Sequence, residues 1–319
     1  MNKSDGPLRI IIITIGLSPV VKPIIESRHK TVGIIESANR NKGKMSLKKY
    51  IFIMLRNISK QVKGLNRLCN KYKIPYYYMN NGCDLNLEKW IKNLTPDIIV
   101  IYGMTELLKK NIYEIPKFSS INLHPSLLPA YRGPSPEFWT YYNTELNPGV
   151  TLHFIDEGED TGDIISQEQF NLPLGARFPE MERIAIGEIG SKMILKACDD
   201  FGKVNIPRSK QPLESTTMKA RKISKEEHND LILWETWPIE RIWHLLRGTE
   251  DWLNALEQPE GIFRWHRWKI LNYEVCSMSG YTPSKIYKDK GKHIVACKDG
   301  KIYLSKYFSI KGFLLTILA

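Results

Sequence analysis

The chain has 319 residues, a length that suits two domains of ordinary size. Hydrophobic residues make up 42% of it, which is enough to build packed cores and excludes a largely disordered chain. The net charge of +12 and the isoelectric point near 9.3 fit a polyanionic partner (a nucleic acid, a nucleotide, a polyglutamyl cofactor or an anionic membrane), and fit equally well a basic surface without such a partner.

The cysteines and the apolar runs bear on the compartment. Five cysteines are scattered without a Cys-x-x-Cys pair, so we expect no zinc or other metal site and a reducing, cytoplasmic setting. The apolar run at residues 10–17 is short, lacks a small-residue cleavage site and ends at a glycine, so it predicts a buried first strand rather than a signal peptide. No apolar segment reaches membrane-spanning length, so we expect no membrane partner.

Apolar runs alternate with helical patterns through the first two-thirds of the chain, which predicts an α/β domain with a Rossmann-like, largely parallel sheet. No Gly-x-Gly-x-x-Gly run follows the first strand, so dinucleotide binding is disfavoured. The predicted strands cover residues 9–15, 31–35, 75–79, 97–102, 120–123, 150–155 and 164–170, and the predicted helices cover residues 58–73, 87–94 and 180–198.

A segment rich in Pro, Ser and Thr, residues 207–217, predicts a linker between a catalytic domain (1–206) and a C-terminal domain (218–319). Ser224 and Glu227 have the spacing of a capping box at the start of a helix. Short strands separated by turn residues follow, and this pattern predicts a small β-barrel. One helix is predicted to end at Asn229, and a second is predicted to cover residues 238–247. The strands are predicted to cover residues 261–263, 268–275, 293–296 and 301–304.

Three polar side chains form a candidate catalytic group. Asn122 and His124 alternate with Leu123 at the end of a predicted strand, so their side chains share one face. Asp160 lies in a glycine-containing acidic loop after the next strand, and because strand carboxyl ends face the ligand crevice we expect the three to meet there. An amide can donate to a developing oxyanion, an imidazole can move an amine proton, and a carboxylate can orient the imidazole, so the group suits acyl transfer to an amine. Taken singly, a structural histidine and a solvated turn fit as well.

Four segments resemble the folate-dependent formyltransferase family: Pro96–Gly103, Asn122–Gly133, Gly149–His153 and Asp156–Ile165. An Asn-x-His-Pro-Ser-Leu-Leu-Pro run followed by Asp-x-Gly-x-Asp-Thr-Gly-Asp is highly specific. The resemblance implies an N-formyltransferase, a one-carbon transferase that uses 10-formyltetrahydrofolate and no metal.

By position, the resemblance implies that Asn122, His124 and Asp160 are the catalytic trio of the family. The start of the predicted C-terminal domain, residues 222–227 and 239–242, also resembles the OB-like barrel domain of methionyl-tRNA and sugar formyltransferases. The residues implied to bind the folate are Met104, Leu107, Leu108, Ile155, Asp156 and Gly158.

Two features favour an amino sugar on a nucleotide carrier as the acceptor of the formyl group. Residues 134–142 are aromatic where the tRNA enzymes usually have an Ala-Ala-Pro-Ile type of sequence, and they are similar to the sugar-nucleotide enzymes. We expect Trp139 and Tyr142 to stack on the substrate and Arg132 to bind it, although helix-core positions fit the aromatic residues as well. His153 stands where the tRNA enzymes tend to carry an uncharged residue, and a structural histidine is the other interpretation.

A basic segment favours the alternative acceptor, methionyl-tRNA. Residues 40–73 contain eleven Lys and Arg residues and no Asp or Glu, a composition that suits RNA phosphates. A sugar-nucleotide pyrophosphate, a polyglutamyl tail or a solvated surface fits as well. The sequence therefore predicts a formyltransferase acting on a nucleotide-linked amino sugar. Methionyl-tRNA formyltransferase is the alternative, and a non-catalytic nucleic-acid-binding protein built on an inactive enzyme is a third hypothesis.

Overall fold

The computed structural model describes residues 6–37, 64–79, 85–203, 205–259 and 265–309. The strands of the first part are β1 (Arg9–Thr14), β2 (Lys30–Ser37), β3 (Tyr76–Met79), β4 (Ile98–Tyr102), β5 (Ser119–His124), β6 (Gly149–Phe154) and β7 (Ile164–Gln169). The α-helices of this part are α1 (Val21–Ile25), α2 (Leu65–Tyr72), α3 (Leu85–Leu94), α4 (Lys110–Tyr113), α5 (Pro136–Tyr142), α6 (Phe178–Glu182) and α7 (Ser191–Asp200).

The seven strands form one sheet in the order β3-β2-β1-β4-β5-β6-β7. Neighbouring strands are parallel from β3 to β5, whereas β6 runs antiparallel to β5, and β7 antiparallel to β6. This confirms the predicted α/β fold with a largely parallel sheet. The chain order reverses between β1 and β4, so a ligand crevice is expected at the carboxyl ends of these two strands.

The continuous apolar run of β1 reflects burial on both faces of the sheet. Ile10 and Ile12 belong to one hydrophobic cluster, and Ile11 and Ile13 belong to another on the opposite face. Leu123 of β5 belongs to the first cluster and packs against a π-helical segment, Arg183–Gly190, that joins α6 to α7. Asn122 and His124, the neighbours of Leu123 on β5, therefore point to the other face of the sheet, where the candidate site lies.

The C-terminal part has a separate four-stranded antiparallel sheet, which fits the predicted small barrel domain. A short 3₁₀ helix (Glu226–Asn229) and helix α8 (Ile239–Gly248) precede it, and α8 packs on the sheet through Ile242. Glu227 Oε2 accepts a hydrogen bond from the Ser224 backbone N–H at 2.8 Å, which is one of the two bonds of the predicted capping box. The N-cap of the 3₁₀ helix is Lys225 and has no side-chain cap, so the second bond is not formed. The sheet has the order β8 (His266–Val275), β11 (Gly300–Phe308), β10 (Lys292–Cys297) and β9 (Ile286–Asp289).

Several elements differ from the sequence prediction. The long helix predicted over residues 180–198 runs from Phe178 to Asp200 and contains the π-helical segment. A Cβ on Gly190 would come within 2.3 Å of Leu123 Cδ2, so glycine is needed for this close packing on β5. The predicted strand at 261–263 and most of the basic segment 40–73 lie outside the described residues. None of the helices in the described ranges combines the length and apolarity that crossing a bilayer requires.

Candidate active site

Asn122, His124 and Asp160 meet at the end of β5. His124 Nδ1 lies 3.5 Å from Asp160 Oδ1, and Asn122 Nδ2 lies 3.0 Å from Nε2 of His153, the residue opposite it on β6. His153 Nε2 is in turn 3.7 Å from Asp160 Oδ1. The two strands thus present Asn122, His124, Thr151 and His153 on the face opposite the hydrophobic cluster that contains Leu123. One polar group results, with two buried imidazoles beside one carboxylate.

The three side chains do not meet because two strands end at the same edge of the sheet, as the sequence predicted, since β6 runs antiparallel to β5. The last residue of β6, Phe154, pairs with Ile121 in the middle of β5. The acidic loop therefore starts level with Ile121 and not at the carboxyl end of β5. The loop must then fold back toward His124 before β7 begins at Ile164. Asp160 reaches the site through this return.

The loop is held in a tight conformation. Asp160 has a φ of +57°, in the left-handed region that non-glycine residues adopt at a cost of roughly 1–2 kcal/mol. Its Oδ2 atom accepts a hydrogen bond of 2.9 Å from the backbone N–H of Gly133. A Cβ on Gly162 would lie 1.9 Å from the carbonyl oxygen of Phe154, so only glycine fits there. Oδ2 of the Asp160 carboxylate therefore bonds to Gly133, and Oδ1 faces His124 and His153.

The hydrogen bonds of His153 define its tautomer. Its Nδ1 lies 2.8 Å from the carbonyl oxygen of Phe154, which can only accept, so Nδ1 carries the proton and Nε2 carries the lone pair. Burial lowers the pKa of His153 to about 4, so the ring is neutral at physiological pH, although Asp160 acts in the opposite direction. Nε2 therefore accepts from the Asn122 amide, which orients the NH₂ group and leaves its second N–H for a ligand.

His124 is oriented in the same way by a backbone carbonyl. Its Nε2 lies 3.0 Å from the carbonyl oxygen of Tyr131, so Nε2 donates and the lone pair of the neutral ring is on Nδ1. Nδ1 faces Asp160 Oδ1 in a site where His124 is buried. A hydrogen on Nδ1 would point at the Asp160 carboxylate.

These side chains open into a cavity of about 550 Å³ at the expected crevice between β1 and β4. Thr14 and Tyr102, the last residues of those strands, line it together with the predicted trio. All six residues implied to bind the folate line the same cavity: Met104, Leu107, Leu108, Ile155, Asp156 and Gly158. Within the described ranges, the His, Cys, Asp and Glu side chains form no group of three or more that could hold a metal ion.

The three residues expected to bind the substrate, Arg132, Trp139 and Tyr142, do not line this cavity. The guanidinium of Arg132 donates to the carbonyl oxygens of Pro212 and Leu213. Trp139 Nε1 donates to the carbonyl oxygen of Arg221. Trp139 and Tyr142 pack with an aromatic cluster in the hydrophobic core that α5 shares with α8. Their geometry supports packing rather than stacking on a ligand.

Sequence reasoning missed two carboxylates and assigned no role to the hydroxyl of Tyr102. Glu137 and Glu182 line the cavity, and burial raises the pKa of both. Burial also raises the pKa of Tyr102 well above its usual range. A signal existed for Glu137, since a charged residue between Pro136 and Phe138 interrupts an otherwise apolar run. His153 was noticed in the sequence, but as a clue to the acceptor and not as the partner of Asn122.

Comparison with known proteins matches the chain to formyltransferases. The profile of the family described as formyl transferase matches residues 32–176. A methionyl-tRNA formyltransferase from Clostridium acetobutylicum is 32% identical over 224 residues, which cover 70% of each protein.

Solved structures share the fold. HypX from Aquifex aeolicus superposes with a TM-score of 0.61 at 14% identity over 98% of this chain, which spans about half of the HypX length (48%). An N-formyltransferase from Helicobacter canadensis, solved with folinic acid and dTDP-3-aminofucose, gives a TM-score of 0.61 at 20% identity and covers 94% of this chain and 100% of its own. The chain therefore belongs to the folate-dependent formyltransferase family, the family that its motifs resemble.

Proposed function

We propose that the protein transfers the formyl group of 10-formyltetrahydrofolate to the amine of methionyl-tRNA. The observation that carries formyl transfer is the convergence of Asn122, His124 and Asp160 on one cavity. The acceptor is supported by the 32% identity to a methionyl-tRNA formyltransferase and by the net charge of +12, which suits a polyanion.

The residues present fit a bound folate. Ile101, Met104, Leu108 and Ile155 give the cavity apolar walls suited to a flat pteridine ring, and Asp156 adds a polar edge. A volume of about 550 Å³ is within the usual range for small-molecule sites. Bound 10-formyltetrahydrofolate would supply the formyl carbon that the acceptor nitrogen attacks. The folate nitrogen would leave as the neutral amine, with the proton that the acceptor gives up through His124.

Asn122 supplies the donor for the formyl oxygen. One N–H of its amide is engaged by the neutral His153, and this fixes the direction of the other. A donor held in place before the reaction stabilises the negative charge that develops on the oxygen and needs no reorganisation. Removing one such donor typically lowers turnover by about 10²–10³-fold.

His124 and Asp160 handle the proton of the attacking amine. The lone pair on His124 Nδ1 is kept on the side of Asp160 because Nε2 is engaged by Tyr131. Nδ1 takes the proton as the amine attacks, and the carboxylate 3.5 Å away stabilises the imidazolium that forms. Asp160 stays oriented through its bond to Gly133.

A nucleotide-linked amino sugar is the second candidate acceptor. Its support is the neighbour from Helicobacter canadensis, which was solved with such a compound and matches over its whole length. The two sequence features that favoured a sugar have other partners in the structure, because Trp139 packs in the core and His153 bonds to Asn122. For this reason we place methionyl-tRNA first.

We propose that the reaction takes place in the cytoplasm, because the four described cysteines carry free thiols, as a reducing compartment maintains them. The four are Cys69, Cys198, Cys276 and Cys297.

The test is to mix the purified protein with 10-formyltetrahydrofolate and to follow the release of tetrahydrofolate. Methionyl-tRNA, uncharged tRNA and a panel of dTDP-linked amino sugars are compared as acceptors. We expect release with methionyl-tRNA alone, and a loss of about 10²–10³-fold in Asn122→Ala. Release with an amino sugar and none with tRNA would replace the acceptor, and no release with any amine would refute formyl transfer to these acceptors.

A further inference from the structure

The segment between the two sheets is bound to both loops that shape the active site. Ser209 and Ile164 exchange two backbone hydrogen bonds, of 2.8 and 3.0 Å, just beyond the acidic loop. Ala220 donates to the carbonyl oxygen of Arg132 at 2.8 Å and accepts from the N–H of Ser135 at 2.9 Å. The segment 209–220 is therefore fixed at both ends beside the catalytic residues, and we call it the clamp segment.

Within the clamp segment, the side chain of Gln211 holds the acidic loop. Its Nε2 atom donates to the carbonyl oxygen of Asp160 at 3.1 Å and to that of Gly162 at 2.7 Å. These two carbonyls lie on either side of Thr161, so a single amide group fixes the turn. The turn is the one in which Asp160 adopts its left-handed backbone conformation.

Arg132 sets which way the Gln211 amide points. Nε and one terminal nitrogen of the guanidinium donate to Gln211 Oε1 at 3.2 and 2.8 Å. A guanidinium has donors only, so the oxygen of the amide must face it and the NH₂ group must face the loop. Arg132 is only 9% exposed and also donates to the carbonyl oxygens of Pro212 and Leu213, so it is held firmly itself.

We propose that Gln211 is a positioning residue for Asp160 in formyl transfer. The proposal rests on the proposed function, in which the Asp160 carboxylate stabilises the protonated His124. Without the Gln211 donor, the carbonyls of Asp160 and Gly162 lose their side-chain partner, and Asp160 can relax from its left-handed conformation. Its carboxylate then leaves Gly133 and His124, and a displacement of this kind is expensive in rate.

The test is a double-mutant cycle between Gln211→Ala and Asp160→Asn in the full-length protein. We expect Gln211→Ala to lower kcat about tenfold or more, with KM for the folate changed by less than about twofold. In the Asp160→Asn background the same substitution should change kcat by less than about twofold, because the group it positions is already lost. The readout is tetrahydrofolate release with the acceptor that the protein uses.

A second variant separates positioning from simple anchoring of the clamp segment. Gln211→Glu keeps the size and an oxygen for Arg132, but it has no N–H for the two carbonyls. It should lose as much kcat as Gln211→Ala, while its Tm stays near that of the wild type. Gln169→Ala is the matched control, since Gln169 Nε2 donates to the carbonyl of Asn147 at 2.7 Å on an exposed part of the sheet edge. This control should keep the full kcat.

The outcomes distinguish the two proposals. A full rate in Gln211→Glu, or equal losses for Gln211→Ala in both backgrounds, would overturn the role of Gln211. A full rate in Asp160→Asn alone would overturn the role of Asp160 in the proposed function, whatever Gln211 does.

Discussion

The orientation of Asn122 by a neutral His153 can be tested through both stability and rate. In His153→Phe the ring that accepts from Asn122 Nδ2 is replaced by an apolar ring of similar size. The amide then loses the partner that directs its second N–H into the cavity. We expect kcat to fall by about tenfold or more, below the full effect of removing an oxyanion donor.

The size of the stability effect follows from the pKa of His153. Burial lowers it from the ordinary 6.5 to about 4, so the unfolded chain takes up the proton first as the pH falls. The stabilisation associated with the neutral ring is complete above pH 6.5 and is lost toward pH 4. Between pH 7 and pH 5 the loss is about 2 kcal/mol, at about 1.4 kcal/mol for each pKa unit. The free energy of unfolding of His153→Phe should therefore fall by about 2 kcal/mol less than that of the wild type when the pH is lowered from 7 to 5.

His244 gives a matched control. It is fully buried in α8, burial lowers its pKa to about 4, and its Nδ1 accepts a hydrogen bond of 2.8 Å from the N–H of Gly175. His244→Phe should show the same reduced sensitivity to acid in urea unfolding at pH 7 and pH 5, but it should keep kcat. If His153→Phe is as acid-sensitive as the wild type, the ring is not neutral in the folded protein. If its kcat is unchanged, His153 does not orient Asn122.

Three further variants test the carboxylates of the cavity. Asp160→Asn keeps an oxygen for the Gly133 N–H and tolerates a positive φ, so kcat should fall by about 10²-fold with an unchanged Tm. Asp160→Ala should lose as much rate and in addition about 1 kcal/mol of stability, measured by urea unfolding. Glu137→Gln should raise the Tm at pH 7, because burial raises the pKa of Glu137 and so disfavours its charged form. The gain in Tm should shrink as the pH falls through the pKa of Glu137. Thermal melts across the acid range measure it, and a gain in Tm that stays constant with pH would contradict the reasoning.

The strands and the shared face of Asn122 and His124 could be predicted because their signals are local. Alternation places Asn122 and His124 on one face of β5. The parallel strands β1 and β4 are apolar runs of ordinary length. The direction of β6 is not a local property, since an alternating strand has the same sequence pattern whether it pairs parallel or antiparallel. The route of the loop that carries Asp160 was therefore out of reach.

The burial of Trp139 in the core could not be predicted for a related reason. A run of aromatic residues in a short helix fits a ligand platform as well as it fits a core, and only the partners decide. Trp139 packs against Phe138 and Tyr142 of its own helix. Those two rings in turn contact Trp252 and Trp237, which lie about a hundred residues further along the chain. Nothing within residues 134–142 indicates that contact.

The linker predicted at residues 207–217 was identified by composition, and composition describes it poorly. Pro, Ser and Thr were interpreted as a spacer, yet Ser215 donates to the carbonyl oxygen of Pro129, and Thr217 accepts from the N–H of Tyr131, the residue whose carbonyl engages His124. Small hydroxyl side chains suit this role because they bond to backbone groups at short range. These hydrogen bonds tie the segment that follows residue 206 to the loop that orients His124.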